Sequence, residues 1–236
     1  MSSYLRVRNL IKRAIGSFSR HQDLDTFYNP AGATVLDFGW AGDGIRAREL
    51  VERGATKVVG FDLWWNESDI GRVTELARQA GIEERVEFCL ADPYATGFAD
   101  DSFDIVVGHN ILSHLELERA LKEIQRILRP GGRAVFVEVL AANPFLRLGR
   151  RLTQRVESEP GTPITAADWE LCKRYFPGFE HEERELTTIP LMPLNLLLPA
   201  GAQKRVARMA WSLDEKLMRW FPGVRKYARL TFLVLK

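Results

Sequence analysis

Apolar positions along the middle of the chain follow two alternating periods. From Thr34 onward, short apolar runs alternate with stretches whose apolar residues recur every three or four positions, the pattern of strands and helices in a parallel sheet. The predicted strands are Thr34 to Asp37, Lys57 to Asp62, Val86 to Leu90, Phe103 to Gly108 and Arg133 to Val139. Helices are predicted over Ile45 to Glu52, Ile70 to Ala80 and Glu116 to Leu128, the last stopped by Pro130, Gly131 and Gly132. This order implies a right-handed, doubly wound α/β sheet. Ahead of it, Tyr4, Val7, Leu10, Ile11, Ala14, Ile15 and Phe18 recur at helical spacing opposite Arg6, Lys12 and Arg13, so residues 3 to 19 read as an amphipathic cap. Beyond Leu140 the alternation stops. Asn143 to Arg155 is basic and half-apolar, Glu157 to Pro163 is rich in turn residues, and the two read as an inserted cover. A helix over Ala166 to Phe176, a strand near Glu182 to Thr188 and a last strand over Leu230 to Leu235 resume the pattern. Between those strands, residues 203 to 220 place Val206, Met209, Ala210, Leu213, Leu217 and Trp220 among Lys204, Arg205, Arg208, Lys216 and Arg219, a second basic amphipathic helix.

Composition narrows the class. With 236 residues, 46% hydrophobic and 27% charged, the chain suits one globular domain: a cap over 1–32, a core over 33–140 and a substrate-side cover over 141–236. The greasiest stretch, Ile189 to Ala202, is interrupted by Pro190, Pro193 and Pro199 and is too short to span a bilayer. The basic first twenty residues lack the apolar centre of a secretory signal, although an organellar transit peptide is an alternative. Cys89 and Cys172 have no metal-type or redox-type spacing, which suits the cytoplasm. A net charge of +2 does not announce a nucleic-acid partner.

The chemistry concentrates in Val35-Leu36-Asp37-Phe38-Gly39-Trp40-Ala41-Gly42-Asp43-Gly44, an apolar strand that ends in an acid and a glycine-rich turn before a helix. Small residues there let a ligand approach the backbone, and the helix start offers free N–H groups. Asp62, after the second apolar run, is an acceptor-only carboxylate that can take both hydroxyls of a ribose. Asp37 would repel a pyrophosphate but would help to hold the ammonium group of an amino acid. Asp92, in Leu90-Ala91-Asp92-Pro93, is placed to accept from an adenine amino group, with Leu63 as an apolar wall for the ring.

With these pieces together, residues 33 to 140 resemble the class I S-adenosylmethionine-dependent methyltransferases of small-molecule type, similar to the UbiE/type 11 group. Phe98-Ala99-Asp100-Asp101-Ser102-Phe103-Asp104-Ile105-Val106-Val107 resembles that family's entry into strand four, and Leu128-Arg129-Pro130-Gly131-Gly132-Arg133 its turn into strand five. The resemblance implies a Rossmann-like seven-stranded sheet with an antiparallel last strand, with the basic segments as cap and lid. It implies S-adenosylmethionine as cofactor, S-adenosylhomocysteine as product, and a cofactor site at Asp37, Gly39, Gly42, Gly44, Asp62, Leu63, Asp92 and His109. The glycine loop departs from the family pattern: it is one residue longer and holds the bulky Trp40.

For catalysis the resemblance points to His114, in Gly108-His109-Asn110-Ile111-Leu112-Ser113-His114, as a base, since an imidazole side chain can take a proton near neutrality. Packing or orienting the loop is its alternative role. Glu138 is the second candidate, to orient His114, take a proton itself, or serve as a structural acceptor. No metal is expected, since the acids do not combine with histidines or cysteines at ligand spacing. The expected reaction is oxygen or nitrogen methylation of a small, hydrophobic or lipid-linked acceptor. The basic helices read as a lid, as a peripheral membrane contact, or as packed and solvated surface. A nicotinamide-dependent oxidoreductase and a non-catalytic binding protein are the rival readings.

Overall fold

The computed structural model describes residues 21–39, 44–147, 161–187, 190–191 and 198–236. The predicted helix over 3 to 19, Gly42 and most of the segment from 143 to 163 lie outside the described residues. In chain order the elements are β1 (Thr34–Asp37), α1 (Ile45–Glu52), β2 (Lys57–Gly60), α2 (Glu67–Gln79), β3 (Val86–Phe88), β4 (Phe103–His109), α3 (Leu117–Ile127), β5 (Leu128–Val139), α4 (Ala166–Tyr175), β6 (Glu180–Arg184), α5 (Ala200–Trp220) and β7 (Leu230–Leu235).

The seven strands form one sheet in the order β3-β2-β1-β4-β5-β7-β6. Strands β1 to β5 pair in parallel, as short apolar runs linked by helices must. At the other edge the chain reverses. The Gly178 N–H donates to Lys236 O and the Arg229 N–H to Glu185 O, so partners on β6 and β7 run in opposite directions. The order turns back between β1 and β4, the kind of place where open α/β sheets bind ligands at the carboxyl ends of their strands.

Local chemistry explains where the elements differ from the sequence expectation. α2 starts three residues earlier than its apolar period, because the Asn66 side chain accepts from the Ser68 and Asp69 amides while Asp69 returns the bond to the Asn66 amide. The turn expected at Pro130 to Gly132 lies inside β5 as an irregularity: Phe103 pairs with Leu128, but Ile105 pairs with Arg133. Only glycine fits at 132, where a Cβ would stand 2.8 Å from the Asp104 carbonyl oxygen. β6 stops at Arg184, before Glu185 turns to φ 69°.

The chain divides into two compact units. One holds Asp23–Glu138, Ala166–His181 and Phe232–Lys236. Its centre is aromatic: the Phe38 ring meets Phe61 at 5.1 Å and Phe136 at 6.0 Å, both edge to face. α3 seals one face with Ala120, Leu121, Ile124 and Ile127, all fully buried, each large side chain contributing about 1.5–3 kcal/mol. Its one buried acid, Glu123, is satisfied by the Thr96 amide and hydroxyl and by both arms of Arg126, whose guanidinium holds the carboxyl down at about 2. The other unit holds Val139–Thr165 and Glu182–Thr231 with the described residues before Asp23. There Asp214, buried on α5, accepts from the Leu186 and Thr187 amides, and Arg229 pairs with the buried Glu185 at 2.5 Å.

Candidate active site

Strand register brings the predicted acids to one edge of the sheet. Asp37 is level with Gly60 on β2 and Val107 on β4, and those are level with Phe88 on β3 and Val135 on β5. Asp62 therefore stands two residues past that level, Asp92 four, His109 two and Glu138 three. All emerge from the carboxyl ends of adjacent parallel strands, where open α/β sheets bind ligands.

Asp37 occupies the switch point itself. It is only 1% exposed, and neither carboxylate oxygen has a hydrogen-bond partner among the described residues. Burial pushes its carboxyl up to about 7; the positive charge of Arg46 opposes this and the negative charge of Asp62 adds to it. Arg46, in the first turn of α1, also lies 3.5 Å from Asp25. An unpartnered buried carboxylate costs several kcal/mol unless it holds a proton or meets a cation.

The backbone around it is closely packed against other side chains. Gly39 has φ 75°, and a Cβ there would come within 2.6 Å of the Ile111 side chain. Gly108, on β4, would bring a Cβ to 2.5 Å from the Phe136 ring. Gly44 caps α1 in the left-handed conformation with no side-chain cap, leaving the first amides of that helix to other acceptors. A Gly39→Ala variant is therefore expected to lose about 2–4 kcal/mol of stability, since the clash and the positive φ act together. Chemical denaturation measures this, and an unchanged midpoint would show that Ile111 simply moves aside.

Asp62 and Asp92 are held by the same device. The Trp64 amide donates to Asp62 Oδ1 at 3.0 Å and the Tyr94 amide to Asp92 Oδ1 at 2.9 Å, so each carboxylate is fixed by the residue two positions on. Asp62 is buried and Asp92 exposed, with the half-buried Leu63 following Asp62. The strands end sooner than the sequence pattern suggests, and both acids sit in turns because these side-chain bonds replace the ladder.

His109 ends β4 half-buried, and His114 closes the short helical turn Leu112–His114, exposed, with Trp64 edge-on to its ring at 5.5 Å. Glu138 is fully buried. One of its oxygens accepts from the Ile111 and Leu112 amides, each at 2.8 Å. Burial raises its carboxyl to about 7, while the Leu112 and Ile111 amides and Ser113 pull the other way. Its visible work is to fix the turn that carries His114. Arg46, Ile111 and Trp64 escaped the sequence reading: each sits next to a recognised residue, but helical or apolar pattern alone does not say which neighbour it will face.

The sequence model described as the methyltransferase domain matches residues 36–136, the segment that holds Asp37, Asp62, Asp92, His109 and His114. This segment is similar to the class I S-adenosylmethionine-dependent methyltransferase domains. The chain is 34% identical over 111 residues to methyltransferase GfsG of Streptomyces halstedii, covering 47% of this chain and 39% of that protein. It is 31% identical over 139 residues to the ubiquinone/menaquinone biosynthesis C-methyltransferase UbiE of Hahella chejuensis, covering 58% of this chain and 55% of that one. The chain thus spans about half or less of these relatives' lengths. Among solved structures, a geranyl diphosphate methyltransferase in complex with S-adenosylmethionine shares the methyltransferase fold at a TM-score of 0.63 and 16% identity, over 96% of this chain and 89% of that one. The buried Asp37, with no hydrogen-bond partner among the described residues, and the oriented Asp62 suit the cofactor of such a domain, which carries an ammonium group and a ribose.

Proposed function

We propose that the chain binds S-adenosylmethionine at the carboxyl ends of β1 to β4 and transfers its methyl group to a small hydrophobic acceptor. The observation that carries this reading is Asp37: a buried carboxylate with no hydrogen-bond partner among the described residues, at the turning point of the sheet, favours a ligand that brings a cation and disfavours the pyrophosphate of a nicotinamide dinucleotide. In this reading Asp37 meets the ammonium group, Gly39 and Gly44 let the ligand lie against the backbone, and Asp62 accepts from the ribose hydroxyls. Asp92 accepts from the adenine amino group beside Leu63, and His109 borders the methionine end.

S-adenosylmethionine supplies a methyl carbon already activated by a positive sulfur. The protein's task is then alignment, which by itself can account for several powers of ten in rate. His114 is exposed and held by a turn anchored on Glu138, so its imidazole can take the proton that an acceptor sheds as it gains the methyl group. Glu138 acts on this turn as a positioning residue. Oxygen and nitrogen are the acceptor atoms expected from the sequence; UbiE is named as a C-methyltransferase, and an activated carbon would shed its proton to the same base.

Calorimetric titration with S-adenosylhomocysteine tests the cofactor reading, with a nicotinamide dinucleotide as the control. Binding of the first and not the second is expected; no binding by the folded chain would remove the proposal. Once an acceptor is in hand, His114→Ala should lower kcat about 100-fold and leave the affinity for S-adenosylhomocysteine unchanged. Equal turnover in the variant would assign the base elsewhere.

A further inference from the structure

α5 carries more apolar surface outward than its packing requires. Its inner side is complete: Ala207, Ala210, Asp214 and Met218 are buried, Asp214 is bonded to the Leu186 and Thr187 amides, and Leu191, Val206 and Trp211 pack against the two alanines. On the outer side, Met209 is 67% exposed, Leu213 48% and Trp220 66%. Their spacing of four and then seven residues puts all three on one line along the helix, within about 40° of arc at 100° per residue. Arg205 and Lys216 fall at the same spacing and complete that line, all exposed. Arg208 and Arg219 are exposed beside it, with Glu215 as the acid on that flank. Phe221, 59% exposed, and the exposed Arg225, Lys226 and Tyr227 extend the same chemistry past the end of the helix.

We propose that this line docks on the surface of a membrane that contains anionic lipid. Isolated exposed apolar residues need no explanation, but large apolar side chains aligned over about 17 Å of helix and interleaved with cations do. A water-facing helix gains from charges along its exposed line and loses from methionine, leucine and tryptophan there. A membrane interface reverses that preference: apolar side chains enter the acyl boundary, tryptophan sits at headgroup level, and arginine and lysine stems extend toward phosphates. The cations complement negative headgroups and would repel a second copy of the same face, which is why the occupant is a lipid surface rather than a dimer partner. Among the described residues no helix is long and apolar enough to cross a membrane, so the contact is peripheral. Docking does not depend on methyl transfer, and it is read without any cofactor, so the two proposals fail separately.

The test mixes the full chain with vesicles of phosphatidylcholine alone or with phosphatidylglycerol added, and measures co-sedimentation at low and high salt. Capture by the anionic vesicles, weakened by salt, is expected. Changing Met209, Leu213 and Trp220 together to serine should weaken capture at least about tenfold, and Arg205→Glu with Lys216→Glu should abolish the preference for anionic lipid. All five side chains are exposed, so melting temperatures should stay at the wild-type value; if the triple variant unfolds, the charge variant decides alone. No capture of the folded wild type, equal capture of the charge variant, or self-association in place of vesicle binding would each overturn the proposal.

Discussion

Asp62→Ala should lower the affinity for S-adenosylhomocysteine by about 100-fold, or about 2–3 kcal/mol. The carboxylate is buried, so the water that would replace it in an open site has little room to serve the ribose hydroxyls as acceptor. The same side chain accepts from the Trp64 amide, and its removal leaves that donor to find another partner at a cost of about 1 kcal/mol to the fold. Asp62→Asn separates the two effects, because its side-chain oxygen can still receive the amide while the charge is gone. Titration of both variants, with melting curves alongside, checks the prediction. Affinity within a few-fold of wild type in the alanine variant would move the ribose contact elsewhere.

Asp37→Asn is expected to act in opposite directions on stability and on binding. A carboxyl held at about 7 in the folded chain, against 3.8 for the free group, keeps its proton in the native state between those values while the unfolded chain has lost it. The stability this gives is full below about pH 4, fades as pH rises toward 7, and by neutral pH the carboxylate penalises the fold by on the order of 3–4 kcal/mol. Asparagine removes that penalty. The variant should therefore melt higher than wild type at pH 7 to 8, with the difference closing toward pH 4. It should also bind S-adenosylhomocysteine more weakly, since the ammonium group loses its charged partner. In the wild type, affinity should rise with pH up to about 7, and binding below that should release a proton, visible as a buffer-dependent enthalpy in calorimetry. If the variant is less stable at neutral pH, Asp37 is a structural acceptor and the cation reading falls.

Glu138 shows why a pattern of residue types is a weaker guide than their contacts. From the chain it is an acid at the end of an apolar run, equally suited to orienting a histidine, moving a proton or supporting a loop. The tertiary structure gives one of its oxygens to the amides of Ile111 and Leu112, which no local pattern could have specified because those residues lie more than twenty positions away. Asp62 and Asp92 teach the converse. Each is fixed by the amide two residues on, a local bond, so the sequence placed both past the apolar runs while misjudging where the strands stop.

By itself the sequence determined the strand and helix order of the core, because period and turn chemistry are local, and it determined the set of acids that the parallel order must bring to one edge. Tertiary structure alone decided the state of those acids. Asp37 is buried on β1, which lies between β2 and β4, and Gly39 and Gly108 are required because Ile111 and Phe136 approach from other strands and loops. It also decided which face of α5 would be covered, since Ala207, Ala210, Asp214 and Met218 found partners and Met209, Leu213 and Trp220 did not have to. Burial and long-range contact depend on all the elements at once, and that is where a reading along the chain ends.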